Sequence, residues 1–192
     1  MDRHLYVSGK IRKSICITPL LLFIFFLLPA CEKEKATAPE GQGPVGTCEI
    51  LDKLPQEVTK PLEINFGNRI KLTGITVDKK AEDMLQVSYY WKLIEPLEAY
   101  NTVFVHFTDK DNKGMFQNDH PFCSGKSFAE LKDRIIRDAQ DVYFPKTAAG
   151  REITVKIGLY DPKFSGRLKI ESSGGIPSDD DNTRAIVTSF KL

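Results

Sequence analysis

Two histidines and two carboxylates supply the metal-binding chemistry that this sequence offers. His106, Asp119 and His120 lie close together along the chain, and Asp161 could join them from a later segment. Two imidazoles and a carboxylate can hold zinc with one coordination position open, the arrangement of a metal-dependent hydrolase. The spacing matches no helical or short-loop zinc signature. The pattern therefore favours a strand position facing outward for His106 and a loop ordered by Asp119 and His120 through backbone hydrogen bonds, with the hydrolase as an alternative.

Two acidic segments have the composition of cation sites. Asp109–Gly114 begins like a calcium loop, but lysine and histidine stand where that loop needs its fifth and twelfth residues to be oxygen ligands. We predict a hairpin turn between Phe107 and Met115 instead. The run Asp179–Asp181 lies in a loop-like composition, and we predict that it is a solvated charge run.

A set of aromatic side chains offers binding chemistry. If the strands face as predicted below, Tyr90, Phe104, His106 and Tyr160 point away from the main core. Aromatic rings on a sheet face can stack on sugar rings or anchor a protein partner. The alternative is that another layer, formed by residues 127–141, covers them.

No catalytic motif is recognisable in the sequence. It contains no nucleophile elbow, phosphate loop, Rossmann glycine pattern or kinase signature. We therefore predict a protein that is not an enzyme and needs no cofactor.

Alternating apolar residues predict several strands. Met84–Leu93 is the clearest, with Trp91 among its inward residues. The others are Thr102–Thr108, Ile153–Tyr160, Ile70–Val77, Leu168–Ile170 and Ile186–Leu192. In Ile70–Val77 the alternation slips across Gly74, which predicts a bulge.

One segment favours a helix. Ser127–Glu130 has the pattern of a capping box, and the apolar spacing continues through Leu131 to Ile135 and Ala139. The residues from Ile135 to Phe144 fit a strand equally well, so we expect a short helix followed by a strand. Many short strands with intervening turns predict an all-β, immunoglobulin-like antiparallel sandwich.

The N-terminal segment has the order of an export signal. Basic residues precede an apolar run, Ile15 to Leu28, of about fourteen residues, which is short for a membrane span. Leu28-Pro29-Ala30-Cys31 then resembles the lipobox of bacterial lipoproteins. The resemblance implies cleavage after residue 30 and acyl chains on Cys31. Glutamate after the cysteine implies the periplasmic face of the outer membrane in a Gram-negative cell.

The remaining chain divides into a tether, residues 31–47, and a domain, residues 48–192. The tether is charged and contains proline and glycine, a composition that cannot form a core. Without residues 1–30 the chain is nearly neutral, so no basic field remains to attract nucleic acid. An oxidising compartment favours a disulfide between Cys48 and Cys123; two separate buried thiols are the alternative.

Several motifs in the domain resemble a known module. They are Tyr90-Trp91-Lys92, Val103–Asp109, Asp119-His120-Pro121, Gly158–Pro162 and Gly166-Arg167-Leu168. Together they are similar to a β-sandwich module of bacterial envelope proteins, versions of which form the C-terminal part of membrane-bound glycosyltransferase-like proteins. The resemblance covers roughly residues 66–192 and implies a fold without implying an activity.

The sequence as a whole predicts a lipid-anchored envelope lipoprotein whose sandwich is a non-catalytic binding or structural module. Its predicted partners are the membrane, through Cys31, and an envelope protein or glycan. The alternatives are a carbohydrate-binding module using the outward aromatics and a metal-dependent hydrolase centred on His106 and His120.

Overall fold

The computed structural model describes residues 46–97, 101–123, 126–163 and 166–192. The predicted signal peptide, the predicted lipidation site at Cys31 and the predicted tether up to residue 45 lie outside these ranges. In chain order, the described elements are β1 (Gly46–Leu51), β2 (Lys60–Phe66), β3 (Ile70–Ala81), β4 (Met84–Leu93), β5 (Thr102–Thr108), β6 (Gly114–Gln117), β7 (His120–Pro121), α1 (Phe128–Leu131), β8 (Ile135–Tyr143), a 3-10 turn (Lys146–Ala148), β9 (Glu152–Tyr160), β10 (Ile170–Ser172), β11 (Ser178–Asp179) and β12 (Arg184–Lys191).

The strands form two antiparallel sheets. Sheet A has the order β1-β8-β4-β3-β2-β10, and sheet B has the order β11-β12-β9-β5-β6, with β7 also paired to β5. The inward side chains of both sheets belong to a single apolar cluster. The predicted all-β sandwich is therefore confirmed.

The central strands pair as in an immunoglobulin domain. That fold places strands B and E together in one sheet and C, F and G in the other. Here β4 pairs with β8 in sheet A, while β5, β9 and β12 are neighbours in sheet B. Trp91 is fully buried in β4, where it packs against Phe66 and Phe122 with ring centroids 6.2 and 6.1 Å away.

The predicted bulge in β3 is present. Leu72 lies opposite Trp91 and Gly74 lies opposite Tyr90, so Thr73 has no counterpart on β4. A side chain at position 74 would collide with the Val58 side chain. Glycine is therefore required where the strand changes its alternation.

Several element boundaries differ from the prediction by a few residues. Gly46 and Thr47, assigned to the tether, are the first residues of β1. The expected short helix followed by a strand is confirmed: the helix has the predicted capping box at Ser127 and ends at Leu131, and β8 begins at Ile135. Leu168 precedes β10 instead of starting it. Neither helical turn in the described ranges is long and apolar enough to cross a membrane.

The predicted disulfide joins Cys48 of β1 to Cys123, which follows β7, with Cα atoms 5.4 Å apart. It links the edge of sheet A to a segment that pairs with sheet B. The bond therefore closes the sandwich at one end.

Candidate functional site

The predicted aromatic set divides between the two sheets. Tyr90 lies on the outer face of β4 in sheet A, whereas Phe104, His106 and Tyr160 lie together on the outer face of sheet B. All four are outside the main apolar cluster. They therefore do not form one continuous aromatic surface.

Tyr90 is covered by its own sheet. It is 4% exposed and lies opposite Arg137 of β8 in the strand register. Arg137 is held over this face by Ser88 at 3.2 Å and by Glu49 at 2.9 Å. The alternative prediction that residues 127–141 form a separate layer over the aromatic side chains is wrong, because residues 135–141 join sheet A as a strand beside Tyr90.

Phe104 is buried in a different way. It lies opposite Gly158 on β9, and a side chain at position 158 would collide with its ring. The Arg167 guanidinium covers the ring at 4.8 Å from the centroid, and Tyr160 contacts its edge. As a result, Phe104 is 3% exposed, and its ring packs beneath Arg167 and Tyr160.

His106 is held in one tautomer by Arg184. The Arg184 Nη1 atom lies 2.9 Å from His106 Nδ1, and because a guanidinium only donates, Nδ1 accepts. A neutral ring then carries its hydrogen on Nε2. Burial lowers the pKa of His106, the charges of Arg184 and Arg167 lower it further, and Asp119 opposes them. His106 is thus a neutral hydrogen-bond donor near pH 7.

The acidic run is not simply solvated, which corrects the prediction. Asp179 accepts two hydrogen bonds from Arg184, at 2.7 and 2.9 Å, and one from Lys156 at 2.6 Å. Asp180 pairs with Arg167 at 2.9 Å. Burial would raise the pKa of Asp179, but the bonds from Arg184 and Lys156 outweigh it and hold that pKa below its usual value.

The turn that presents these carboxylates has unusual backbone geometry. Asp180, Asp181 and Asn182 all have positive φ, at 50°, 53° and 63°. Residues other than glycine rarely adopt this conformation in succession. The Asn182 amide stabilises it by donating to the Ile170 carbonyl at 2.6 Å, so the turn places Asp179 and Asp180 over sheet B.

A groove of about 490 Å³ lies beside this ion-pair cluster on sheet B. Its polar lining comes from His106, Thr108, Asn112, Gln117 and Arg184, and its apolar lining from Met115 and Phe116. These residues belong to β5, the β5–β6 hairpin, β6 and the start of β12.

Several polar groups of the groove have hydrogen-bonding capacity left. The Thr108 hydroxyl is buried without a partner in the described structure. Asn112 uses its side-chain oxygen to accept from Lys156, which leaves its amide hydrogens, and Gln117 is exposed. With the His106 Nε2 donor, the groove offers mainly neutral donors and acceptors.

The hairpin that carries Asn112 is the turn predicted from the sequence. Asp109 accepts from the backbone N–H groups of Asp111 and Lys113, at 3.0 and 2.9 Å. Phe107 lies opposite Phe116 in the register. The Asp109 carboxylate therefore orders the loop.

His120 occupies a separate, buried site. Its Nε2 lies 3.0 Å from Asp138 Oδ2, and its Nδ1 lies 3.0 Å from the Asn118 carbonyl oxygen. His120 and Asp138 are both 2% exposed, and Gln140 donates to the other Asp138 oxygen at 2.6 Å. Both ring nitrogens face acceptors, so the pair joins β7 to β8 and leaves no lone pair directed at a ligand.

Tyr89 completes this buried cluster. Its ring stacks on His120 with centroids 5.6 Å apart. Burial raises the pKa of Tyr89 well above its usual value, and the nearby Asp138 raises it further. The Tyr89 phenol therefore stays neutral. The buried cluster of Tyr89, His120 and Asp138 packs at the same end of the sandwich as the disulfide.

The four metal-ligand candidates have separate partners. Asp119 accepts from the Val105 amide at 3.2 Å, and Asp161 accepts from the Lys163 amide at 2.8 Å. His106 and His120 are engaged by Arg184 and Asp138. Over the described ranges, no three His, Cys, Asp or Glu residues are placed to hold a metal ion together.

Comparison of the chain with protein-family models, curated proteins and solved structures gives no match. The site must therefore be interpreted from its own chemistry.

Sequence reasoning missed most of the groove. Thr108 shares the parity of Phe104 and His106 along β5, so strand alternation could have placed it on the same face. Arg184 could not be found in this way, because Arg184 lies on β12 and His106 lies on β5, and β9 separates these two strands in sheet B. Asn112 and Gln117 are ordinary hairpin residues in the sequence.

Proposed function

We propose that this chain is a lipid-anchored, non-catalytic binding module of the cell envelope, and that it binds a glycan in the groove on sheet B. The observation that carries the proposal is the lining of that groove by neutral hydrogen-bonding side chains, His106, Thr108, Asn112 and Gln117, beside Met115 and Phe116. Sugar hydroxyls both donate and accept, and their ring faces are apolar. A mixed neutral surface of this kind suits them.

The cluster of ion pairs supports this role by fixing the groove. Arg184 is 12% exposed and bonded to Asp179 and His106. Because its donors are engaged within the protein, Arg184 orients the imidazole and does not act as a free receptor for anions. Arg184 and Lys156 of this cluster thus hold His106 and Asn112 in place before binding, which lowers the entropy lost on binding.

The anchoring part of the proposal rests on the residue pattern that ends at Cys31. A tether of about fifteen residues has a root-mean-square reach of roughly 20 Å, so the groove would meet polymers close to the membrane. Incorporation of labelled palmitate into the full chain tests this part. Labelling that persists after Cys31→Ala would contradict it.

The alternative hydrolase has less support. Both ring nitrogens of His120 face acceptors, and that residue lies in the buried cluster with Asp138, away from the groove lining.

The binding test uses the full chain and a panel of envelope polysaccharides. Gln117→Ala removes a hydrogen-bonding group worth about 1 kcal/mol, so we expect roughly fivefold weaker binding of a retained polysaccharide. Gln56→Ala is the matched control, because Gln56 is also exposed but does not line the groove. Retention of no polysaccharide, or equal binding by both variants, would contradict the proposal.

A further inference from the structure

A second groove lies where the two sheets separate at the edge of the sandwich. Ile75, Val77 and Leu85 contribute from sheet A, Phe190 contributes from β12 of sheet B, and Leu192 follows directly after it. Ile75 and Leu85 are 1% and 2% exposed, and the other three pack partly buried against the core. The floor of this edge groove is thus a continuation of the apolar core.

The rim of the edge groove is basic. Lys60, Lys79 and Lys191 line it, and no aspartate or glutamate does. Lys79 lies over the Phe144 ring at 5.6 Å from its centroid. An apolar floor with ammonium groups only at its mouth is complementary to an amphipathic anion.

None of these three ammonium groups has an anionic partner in the described structure. Neither Lys60 nor Lys191 takes part in an ion pair there, although the exposed Lys80 does. Glu152 lies opposite Lys191 in the strand register, yet the two charges form no ion pair. Lys60 and Lys191 therefore keep their charge available at the mouth of the edge groove.

The volume of the edge groove, about 290 Å³, limits the occupant. It lies at the lower end of the range for small-molecule sites, roughly 300 Å³. Such a space suits one hydrocarbon chain and is too small for the paired chains of a phospholipid. Each methylene that enters an apolar site strengthens binding roughly fourfold, so even a partly buried chain is held.

We propose that the edge groove binds a single-chain fatty acid, with the hydrocarbon chain against Ile75, Val77 and Phe190 and the carboxylate between Lys60 and Lys191. This site is separate from the glycan groove and does not depend on it. A fatty acid combines one hydrocarbon chain, which fits the apolar floor, with one negative charge, which fits the basic rim.

The test uses the full chain in nanodiscs of zwitterionic phosphatidylcholine and a twelve-carbon fatty acid that carries a photoreactive diazirine on its chain. After illumination, peptide mass spectrometry locates the attached probe. We expect attachment within residues 75–85 and 188–192, and we expect excess dodecanoate to suppress it more strongly than dodecanol does. Attachment spread evenly over the surface, or equal suppression by dodecanol, would overturn the proposal.

Paired variants test the carboxylate contact. K60Q/K191Q should lower attachment at these peptides about fivefold, the effect of roughly 1 kcal/mol. K53Q/K110Q changes two exposed lysines that do not line the edge groove and should leave attachment unchanged. Equal attachment in both double variants, or the same labelling by a diazirine-bearing phosphatidylcholine, would show that the site does not recognise a free fatty acid.

Discussion

The disulfide gives the most quantitative prediction. Cys48 and Cys123 are separated by 75 residues, and the loop between them contains β2 to β7, with strands of both sheets. In the chain-entropy description, closing a loop of this length removes about 15 cal/mol/K from the unfolded chain, or about 4.5 kcal/mol at 25 °C. We therefore expect the variant Cys48→Ala/Cys123→Ala to lose about 4.5 kcal/mol of unfolding free energy.

Urea unfolding measures this loss, with the fluorescence of Trp91 as the signal. Trp91 is the single tryptophan of the chain and is fully buried, so unfolding exposes it. With a urea dependence near 2 kcal/mol/M, the midpoint should fall by about 2 M. Reduced wild-type protein should match the variant.

Kinetics distinguish the cause of the loss. If the disulfide acts on the unfolded chain and its two ends meet early in folding, removal of the disulfide changes mainly the folding rate. The near-ultraviolet spectrum of the folded variant should then stay native. A loss below about 1 kcal/mol would refute the entropic explanation. So would a variant whose folded spectrum is already disordered, because the bond would then be holding native contacts together.

Three further predictions concern single residues. Asp138→Ala leaves the buried His120 Nε2 and the Gln140 amide without their carboxylate acceptor, so we expect a loss of about 2 kcal/mol or more in urea unfolding, at about 1 to 3 kcal/mol for each unsatisfied buried group; a loss under about 1 kcal/mol would contradict the buried pair. Folding lowers the pKa of His106, so the His106 imidazole binds a proton more readily in the unfolded chain than in the folded one. The free energy of unfolding should therefore fall as the pH drops from about 6.5 toward the folded-state pKa, and it should stay reduced at lower pH. His106→Gln should remove this component, and an identical pH dependence in the variant would count against it. Gly158→Ala should cost about 1 to 3 kcal/mol in thermal or urea unfolding through overpacking, whereas Gly114→Ala, with open space around it, should be nearly neutral; equal effects would contradict the close packing.

The sequence was most informative where one face of a strand is buried. In β4 and β5 the predicted bounds, Met84–Leu93 and Thr102–Thr108, agree with the structure, because strict alternation identifies a half-buried strand. The bulge at Gly74 was visible for the same reason. Local hydrogen-bonding patterns were equally reliable, as the capping box at Ser127 shows.

The prediction of β10 failed where the chain passes from one sheet to the other. The Leu168 amide donates to the Leu159 carbonyl in sheet B, whereas Ile170 pairs with Phe66 in sheet A. Alternation along a strand carries no information on which sheet its neighbours belong to. The crossing therefore could not be predicted from the local pattern.

The candidate site shows the same division. Strand parity correctly separated Phe104 and His106 from the main core, but it could not show that Arg167 covers the Phe104 ring. The contact of Arg167 with Phe104 depends on the pairing of the strands in sheet B and on the turn with positive φ in which Asp180 pairs with Arg167. In β8, Asp138 occupies an inward position between Ile136 and Val142, so strand parity could have indicated a buried carboxylate, although none was predicted there. Its histidine partner could be identified only from the fold.

Chemical-shift mapping of the amide-labelled protein tests most directly whether the groove on sheet B binds a glycan. On addition of a soluble fragment of a retained polysaccharide, we predict shifts at His106, Thr108, Asn112 and Gln117, with none at Tyr90 on the opposite sheet. Saturable shifts confined to those four positions would support the claim. Shifts that cluster outside the groove, or an unchanged spectrum with every fragment of the panel, would contradict it.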